Sequence, residues 1–266
     1  MKLTILGTGN AAVSECYNTY FALSDKNRHF LIDAGGGNRI LKVLKDKKID
    51  INDIHDIFVT HEHVDHVLGV IWLIRIIGQH MNQEKYDGIL RIYCHAELAE
   101  KIQAIANMTI QQKVCKHMNN RIQFDIVENR SKRTILNCPV TFFDIHSTKA
   151  KQFGFTMEIS DNKKFTCVGD EPYNVENEPY VKGSDWLLHE AFCLFSEADK
   201  FKPYEKHHST VKEACQLAEA LGIPNLLLYH TEETHLAERK KLYTAEGKQY
   251  YHGYLYVPDD LETFKI

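Results

Sequence analysis

The segment HEHVDH at residues 61–66 is the feature that most constrains what this chain can fold into. It directly follows residues 57–60, an apolar run with the pattern of a buried strand. Side chains alternate along an extended backbone, so His61 and His63 can point the same way. Asp65 and His66, on the turn that follows, can face a second position nearby. Three imidazoles and a carboxylate in six residues have the spacing of metal ligands, and the segment therefore predicts a metal site at a strand end.

Hydrophobic periodicity along the chain predicts a mixed α/β protein. Short apolar runs alternate with segments whose apolar residues recur at helical spacing. No linker rich in Pro, Gly or Ser interrupts them, which predicts a single domain over residues 1–266. The basic stretch at residues 239–241 is expected on a solvated face. Helices are predicted at residues 40–44, 64–77, 96–106 and 210–221, and strands at residues 2–6, 19–23, 29–32, 54–60, 89–93, 140–144, 153–159, 165–168, 186–188 and 226–229.

Composition and termini predict a cytoplasmic protein with no membrane association. The longest apolar run, residues 67–78, is short for a bilayer span and carries Arg75, which indicates a buried helix. The first ten residues lack the apolar stretch of a signal peptide. Seven scattered cysteines without a C-x-x-C pair are typical of reduced thiols. The formal net charge of −4 disfavours a protein that binds nucleic acid through bulk electrostatics.

The pattern H-x-H-x-D-H after a buried strand resembles the signature of the metallo-β-lactamase superfamily. This resemblance implies an αββα sandwich, in which two mixed β-sheets are flanked by helices. The superfamily has one further histidine, an aspartate and a last histidine, each after a strand. His146, Asp170 and His230 hold these places here.

The resemblance also implies how the ligands divide between two divalent metal ions. One ion would be bound by His61, His63 and His146. The other would be bound by Asp65, His66 and His230, and Asp170 would bridge the two ions. Imidazole and carboxylate donors suit zinc, but manganese and iron remain open from the donor set alone.

Two later motifs, HEAF at residues 189–192 and HHST at residues 207–210, resemble the HEAT and HST motifs of the ribonuclease Z branch. In that branch a histidine that binds no metal donates a proton to the leaving oxygen, and here this residue would be His208. Glu190 would orient the ring of His208 and raise its pKa. The catalytic set implied by the resemblance is therefore Asp65, His208 and Glu190. Phe192 stands where the motif has threonine, so a supporting hydrogen bond is not expected.

The substrate expectation depends on a segment that is short in this sequence. Members of the branch that process tRNA carry a long basic arm between the single metal histidine and the bridging aspartate. Asp170 follows His146 by only 24 positions. We therefore predict a phosphodiesterase for a small substrate, such as a cyclic nucleotide.

Two alternative functions and the oligomeric state stay open at this point. The first alternative is processing of tRNA 3′ ends, with RNA gripped by residues 113–133 or by a second subunit. The second is a lactonase or thioesterase on the same fold. His208 and Glu190 disfavour it, because leaving groups of that kind need no separate proton donor. Proteins of this kind are often dimers, so a homodimer is among the expectations.

Overall fold

The computed structural model describes residues 1–160 and 163–266, which group into two compact units. The first, here called the N-terminal unit, consists of Met1–Gly7, Thr19–Glu128 and Leu261–Ile266. The second, here called the C-terminal unit, consists of Thr8–Asn18 and the described residues of Asn129–Asp260. The single domain over residues 1–266 stays a prediction.

The N-terminal unit contains a mixed sheet of seven described strands in the order β14-β1-β2-β3-β4-β5-β6. Pairing is antiparallel from β14 to β3 and parallel from β3 to β6. Strands β1 to β3 at the start of the chain thus form an antiparallel meander. The strands are β1 Lys2–Gly7, β2 Tyr20–Asp25, β3 Arg28–Ile32, β4 Ile54–Phe58, β5 Leu90–Cys94, β6 Ile122–Ile126 and, from the end of the chain, β14 Thr263–Lys265.

The helices of this unit follow the parallel strands, as their apolar periodicity predicts. They are α1 Arg39–Asp46, α2 Val64–Asn82, α3 Ala96–Thr109 and α4 Gln112–Cys115. Helix α2 contains the long apolar run of the sequence and buries Val70, Leu73 and Ile77 along it. In the part of the chain that the structure describes, no helix is long and apolar enough to cross a membrane.

The C-terminal unit contains a second mixed sheet of seven described strands in the order β13-β12-β11-β10-β9-β8-β7. Pairing is antiparallel from β7 to β10 and parallel from β10 to β13, the same succession as in the first sheet. The strands are β7 Lys132–Ile135, β8 Cys138–Asp144, β9 Phe153–Ser160, β10 Lys163–Cys167, β11 Trp186–Glu190, β12 Asn225–Tyr229 and β13 Tyr254–Tyr256. The helices are α5 Glu178–Val181, α6 Ala198–Phe201, α7 Val211–Ala220 and α8 Arg239–Gly247.

The predicted elements are confirmed, with bounds that differ by a few residues. The sequence patterns missed strands β6, β7, β13 and β14 and helices α4, α5, α6 and α8. Strands β13 and β14 have three residues each, too few for an alternating pattern to be recognised. The basic stretch at residues 239–241 was expected on a solvated face, and for Arg239 this is wrong because its side chain is buried.

Gly69 lets helix α2 approach the turn that follows strand β3. Its backbone N–H donates to the carbonyl oxygen of Gly35 at 2.8 Å. A Cβ atom added to Gly69 would lie 1.8 Å from the carbonyl oxygen of Ala34. A side chain at this position would therefore force the helix and the turn apart. Of the three glycines at residues 35–37, Gly35 uses the conformational freedom, with φ of +73°.

We expect Gly69→Ala to lower the free energy of unfolding by about 1–3 kcal/mol, the usual cost of overpacking. Gly37→Ala is the matched control, because a Cβ atom at Gly37 would meet no described heavy atom within 4 Å. Urea denaturation of both variants beside the wild type measures the difference. Equal midpoints for the two variants would contradict the close packing described for Gly69.

Candidate metal centre and proton donor

The N-terminal unit brings together His61, His63 and His66, as the sequence predicts. The Nε2 atom of His61 lies 2.8 Å from Nδ1 of His63, and their ring centroids are 4.4 Å apart. The ring of His66 lies 4.2 Å from that of His61, measured between centroids. His61 and His66 are buried. Three imidazoles in contact repel one another if protonated, so the cluster is suited to bind a cation as neutral rings.

Asp65 adds a carboxylate to this cluster from the first turn of helix α2. Its Oδ2 atom lies 3.2 Å from Nε2 of His66, and both side chains are buried. His63 is the N-cap residue of the same helix and has an extended backbone. The turn from extended backbone to helix thus presents His63, Asp65 and His66 from neighbouring positions.

Asp33 orients this cluster from the turn after strand β3. Its Oδ1 atom accepts the backbone N–H of Thr60, and its Oδ2 atom accepts the Thr60 hydroxyl, both at 2.8 Å. The same Oδ2 atom lies 2.7 Å from Nδ1 of His66. Asp33 adopts a left-handed backbone with φ of 57°, which aspartate tolerates better than most residues.

These contacts fix the position of the proton on two histidines. A carboxylate only accepts hydrogen bonds, so His66 donates from Nδ1 and keeps its Nε2 lone pair for a ligand. The Thr60 hydroxyl gives its one proton to Asp33, and it therefore accepts from Nδ1 of His61, 2.9 Å away. The Nε2 lone pair of His61 is then the one available to a metal. Such hydrogen bonds from the outer nitrogen are typical of metal-binding histidines.

The C-terminal unit pairs Asp170 with His230, two further residues of the predicted ligand set. Asp170 follows strand β10 and His230 follows strand β12, and both are buried. Their closest atoms, Oδ2 of Asp170 and Nε2 of His230, are 3.3 Å apart. The amide of Gln152 donates to the other oxygen of Asp170. The ends of strands β10 and β12 thus bring these two side chains together.

His146 does not join the pair formed by Asp170 and His230. It follows strand β8 with φ of 61°, and its backbone N–H donates to the side chain of Asp144 at 2.8 Å. Its Nε2 atom lies 3.4 Å from an oxygen of Glu176, whose side chain is 69% exposed. The role of His146 as a ligand stays a prediction.

His208 and Glu190 lie close to each other in the same unit, as expected of a proton donor and its partner. Nδ1 of His208 is 3.6 Å from Oε2 of Glu190, and the ring of His208 is 5.1 Å from that of His230. Glu190 is fully buried, and its other oxygen accepts the backbone N–H and the hydroxyl of Ser209. Helix α7 begins directly after this segment with a capping box formed by Thr210 and Glu213.

Phe192 supports His208 by stacking. The two rings are 5.1 Å apart between centroids with an interplanar angle of 12°. Phe192 stands where the related motif has threonine, so an aromatic contact takes the place of a hydrogen bond. This contact holds the plane of the imidazole, and the plane sets the direction of its N–H bonds.

Burial controls the protonation of the pair. It raises the pKa of Glu190 to about 8, although the hydrogen bonds from Ser209 act in the opposite direction. Burial, together with the nearby His230, lowers the pKa of His208 to about 3. The expected rise of the His208 pKa is therefore wrong for the chain alone, because burial and the neighbouring His230 outweigh the carboxylate of Asp170. Both shifts favour the neutral forms, with the carboxyl of Glu190 protonated and the imidazole of His208 uncharged.

The donor set fits divalent metal ions. It combines imidazole nitrogens with carboxylate oxygens, the groups that bind zinc and related ions. Two histidines of the set, His61 and His66 of the N-terminal unit, are already oriented by the hydrogen bonds of their Nδ1 atoms. Buried carboxylates and imidazoles are costly without a counter-charge, and a bound cation supplies one.

Sequence reasoning missed several groups that hold the site. Asp33 is one of them, and its position directly after strand β3 is a sequence signal for its role. No sequence signal pointed to Gln152. The guanidinium of Arg239 donates to the hydroxyl of Thr231 at 2.7 Å and so supports the loop that carries His230.

Comparison with known proteins places these clusters in a known fold. The metallo-β-lactamase fold protein YhfI of Bacillus subtilis matches with a TM-score of 0.80 and 16% identity, over 99% of this chain and 98% of YhfI. The short form of human tRNase Z matches with a TM-score of 0.76 and 20% identity, over 100% of this chain and 99% of that one. The predicted fold class, a metallo-β-lactamase fold with two mixed sheets flanked by helices, is confirmed.

Sequence comparison identifies the branch and then the family. Ribonuclease Z of Bacteroides thetaiotaomicron is 22% identical over 275 residues, covering 86% of this chain and 84% of that protein. This similarity agrees with the ribonuclease Z-like branch of the superfamily. A family model described as the anti-Pycsar protein Apyc1 matches residues 1–249. The chain belongs to that family.

We expect Asp33→Ala to weaken the binding of divalent metal by about 10- to 100-fold, the usual effect of removing a group that orients a metal-binding histidine. Competition with a chromophoric chelator measures the affinity. Asp46→Ala is the matched control, because Asp46 pairs with Lys42 on the surface of helix α1. An unchanged affinity in Asp33→Ala would show that the metal does not depend on His61 and His66 as oriented here.

Proposed function

We propose that the protein is a metal-dependent hydrolase of phosphoester bonds, specifically a phosphodiesterase that uses two divalent ions and acts on a small diester such as a cyclic nucleotide. One observation carries this proposal. The ring of His208 lies close both to a buried carboxylate, Glu190, and to His230, which pairs with Asp170. A proton donor beside candidate metal ligands is the arrangement that P–O cleavage requires, because the leaving alkoxide must be protonated.

The ligands proposed for the metals are those that the resemblance implies. His61, His63 and His146 would hold one ion. Asp65, His66 and His230 would hold the other, with Asp170 shared. Two bound divalent ions supply charge neutralisation at a phosphoryl group and a more acidic water. Zinc suits these donors best, and manganese and iron are the alternatives.

We keep His146 in this ligand set although its ring is turned toward Glu176. Both partners of that ion pair are partly exposed, at 35% and 69% of their side chains. Exposed pairs of this kind contribute at most about 1 kcal/mol. The binding of a divalent ion exceeds that energy, so a rotation of the His146 side chain costs little in comparison.

His208 would act as the general acid. In the chain alone the proton lies on Glu190 and the imidazole is neutral. The negative charge of a phosphodiester next to His208 favours its protonated form, and Glu190 is the adjacent group that can pass on a proton. The stacked ring of Phe192 keeps the imidazole aimed while the proton moves.

Charge and chain length support a small substrate. The formal net charge of −4 gives little electrostatic attraction for a long polyanion. Strands β9 and β10, which pair antiparallel, make up most of the described residues between His146 and Asp170. A small diester needs no extended basic arm, since its single charge can be met within the site.

Processing of tRNA 3′ ends is the second candidate, and the similarity to ribonucleases Z favours it. The basic residues of segment 113–133 would then form the surface that binds the tRNA. A lactonase or thioesterase is less well supported, because His208 and Glu190 would have no role in it.

We also propose that the protein works in the cytoplasm, supported by seven cysteines that form no disulfide, and that it forms a homodimer, as the resemblance implies.

We expect His208→Ala to keep its metals and to lose about 10²- to 10⁴-fold in kcat on a cyclic nucleotide, the usual contribution of a general acid. Loss of activity on bis(p-nitrophenyl) phosphate should be much smaller, because p-nitrophenolate leaves without protonation. His252→Ala is the control, since His252 is exposed and pairs with Glu219. Equal losses on both substrates would refute the assignment of His208 as general acid.

A further inference from the structure

Two neighbouring cavities in the C-terminal unit share a wall that contains His208. The outer cavity has a volume of about 570 Å³, and the inner cavity has a volume of about 290 Å³. Tyr173 and Tyr204 line both cavities, and His189 lines the inner one. Ligand pockets commonly have volumes of about 300–1,000 Å³, so the inner cavity is close to the lower end of that range.

His189, which lines the inner cavity, has a buried hydrogen-bond acceptor. The side chain is 1% exposed, and its Nδ1 atom lies 2.6 Å from the carbonyl oxygen of Glu190. A carbonyl oxygen only accepts, so Nδ1 carries the proton and Nε2 has the lone pair. Burial lowers the pKa of His189 to about 4, which keeps the ring neutral. Among the described residues, Nε2 has no hydrogen-bond partner.

The hydroxyl of Tyr173 is the second unsatisfied group at this cavity. It is buried and has no hydrogen-bond partner in the described parts of the chain. Buried polar groups are nearly always hydrogen-bonded, and leaving one unsatisfied costs stability. Two such groups on the wall of one cavity indicate that something other than the protein completes their hydrogen bonds.

The polar groups of the inner cavity select against a phosphate. Nε2 of His189 is an acceptor, and Glu213 contributes a carboxylate that accepts from Thr210 and from the hydroxyl of Tyr204 at 2.8 Å. Acceptors and a negative charge repel a phosphate. A neutral planar ligand with an N–H group fits better, because it can donate to His189 and pack against tyrosine rings.

We propose that the inner cavity binds the heterocyclic base of a nucleotide substrate, with a base N–H donating to Nε2 of His189 and the hydroxyl of Tyr173 bonding a second polar atom of the base. This inference rests on the proposed phosphodiesterase function. His208 lies in the shared wall, so a diester with its leaving oxygen at His208 has its base within reach of the cavity. His189 and Tyr173 then determine substrate specificity.

The test compares Tyr173→Phe and His189→Phe with the wild type. The substrates are the four common 3′,5′-cyclic nucleotides and bis(p-nitrophenyl) phosphate, which has no base. For the cyclic nucleotides that the wild type hydrolyses, we expect KM to rise about 3- to 10-fold in each variant, the equivalent of one hydrogen bond. The kcat should change little, and the base-free diester should respond much less.

A control and a stability measurement separate base recognition from a structural role. Tyr254→Phe is the matched control, because the Tyr254 side chain is largely exposed. The melting temperature of Tyr173→Phe should not fall, since its hydroxyl has no protein partner. A fall in melting temperature, a loss in kcat on both kinds of substrate, or an unchanged KM for every cyclic nucleotide would overturn the proposal.

A binding measurement distinguishes failure of this inference from failure of the proposed function. If the wild type hydrolyses neither kind of diester, the phosphodiesterase assignment fails. Calorimetric titration of the wild type and Tyr173→Phe with the four nucleoside 5′-monophosphates then tests the cavity alone. Weaker binding to Tyr173→Phe would support the base pocket. Equal binding to both proteins, or none to the wild type, would overturn it.

Discussion

The hydrogen bonds accepted by Asp33 are the interaction on which the N-terminal half of the site depends. One carboxylate binds the backbone and hydroxyl of Thr60 and the ring of His66, and through Thr60 it also orients His61. This arrangement needs a left-handed backbone at Asp33 and a close approach of helix α2, which Gly69 allows. The geometry of the imidazoles is therefore fixed by the fold before any metal binds, which reduces the cost of binding.

The C-terminal unit applies the same principle with different residues. Gln152 holds Asp170, Ser209 holds Glu190, and Arg239 holds the loop after strand β12. Each of these donors hydrogen-bonds a residue of the proposed site or the loop that carries one, and is not itself proposed to take part in the reaction. Parallel strands β10, β11 and β12 end side by side, so the residues that follow them are brought together by the sheet itself.

The sequence was sufficient for the longer elements and for proposing the ligand residues, because both depend on local patterns. The HEHVDH segment, the strands before it and the helix after it can be read from periodicity and residue chemistry. The role of Asp33 could not be read in this way, since it depends on contacts with residues 27 and 33 positions away along the chain. For the same reason, the sequence could not predict the orientation of the His146 ring toward Glu176 or the stacking of Phe192 on His208. The low pKa of His208 follows from burial, which only the packed structure reveals.

His189 illustrates a further limit of sequence patterns. In the HEAF motif it stands beside Glu190, and its own role was not apparent, because a histidine in a strand is more often a core residue than a functional one. Its proposed role comes from an acceptor atom that has no hydrogen-bond partner among the described residues, in a side chain that lines a cavity. Such a group is recognised only after the hydrogen bonds around it have been counted.

The most direct test of the central claim is a reconstitution experiment. Protein depleted of metal is titrated with zinc while hydrolysis of the 3′,5′-cyclic nucleotides and cleavage of a pre-tRNA are followed at physiological salt. The account predicts that hydrolysis of a cyclic nucleotide appears with zinc and saturates at about two ions per chain, with little accurate cleavage of pre-tRNA. Clean pre-tRNA processing without turnover of any cyclic nucleotide would contradict it.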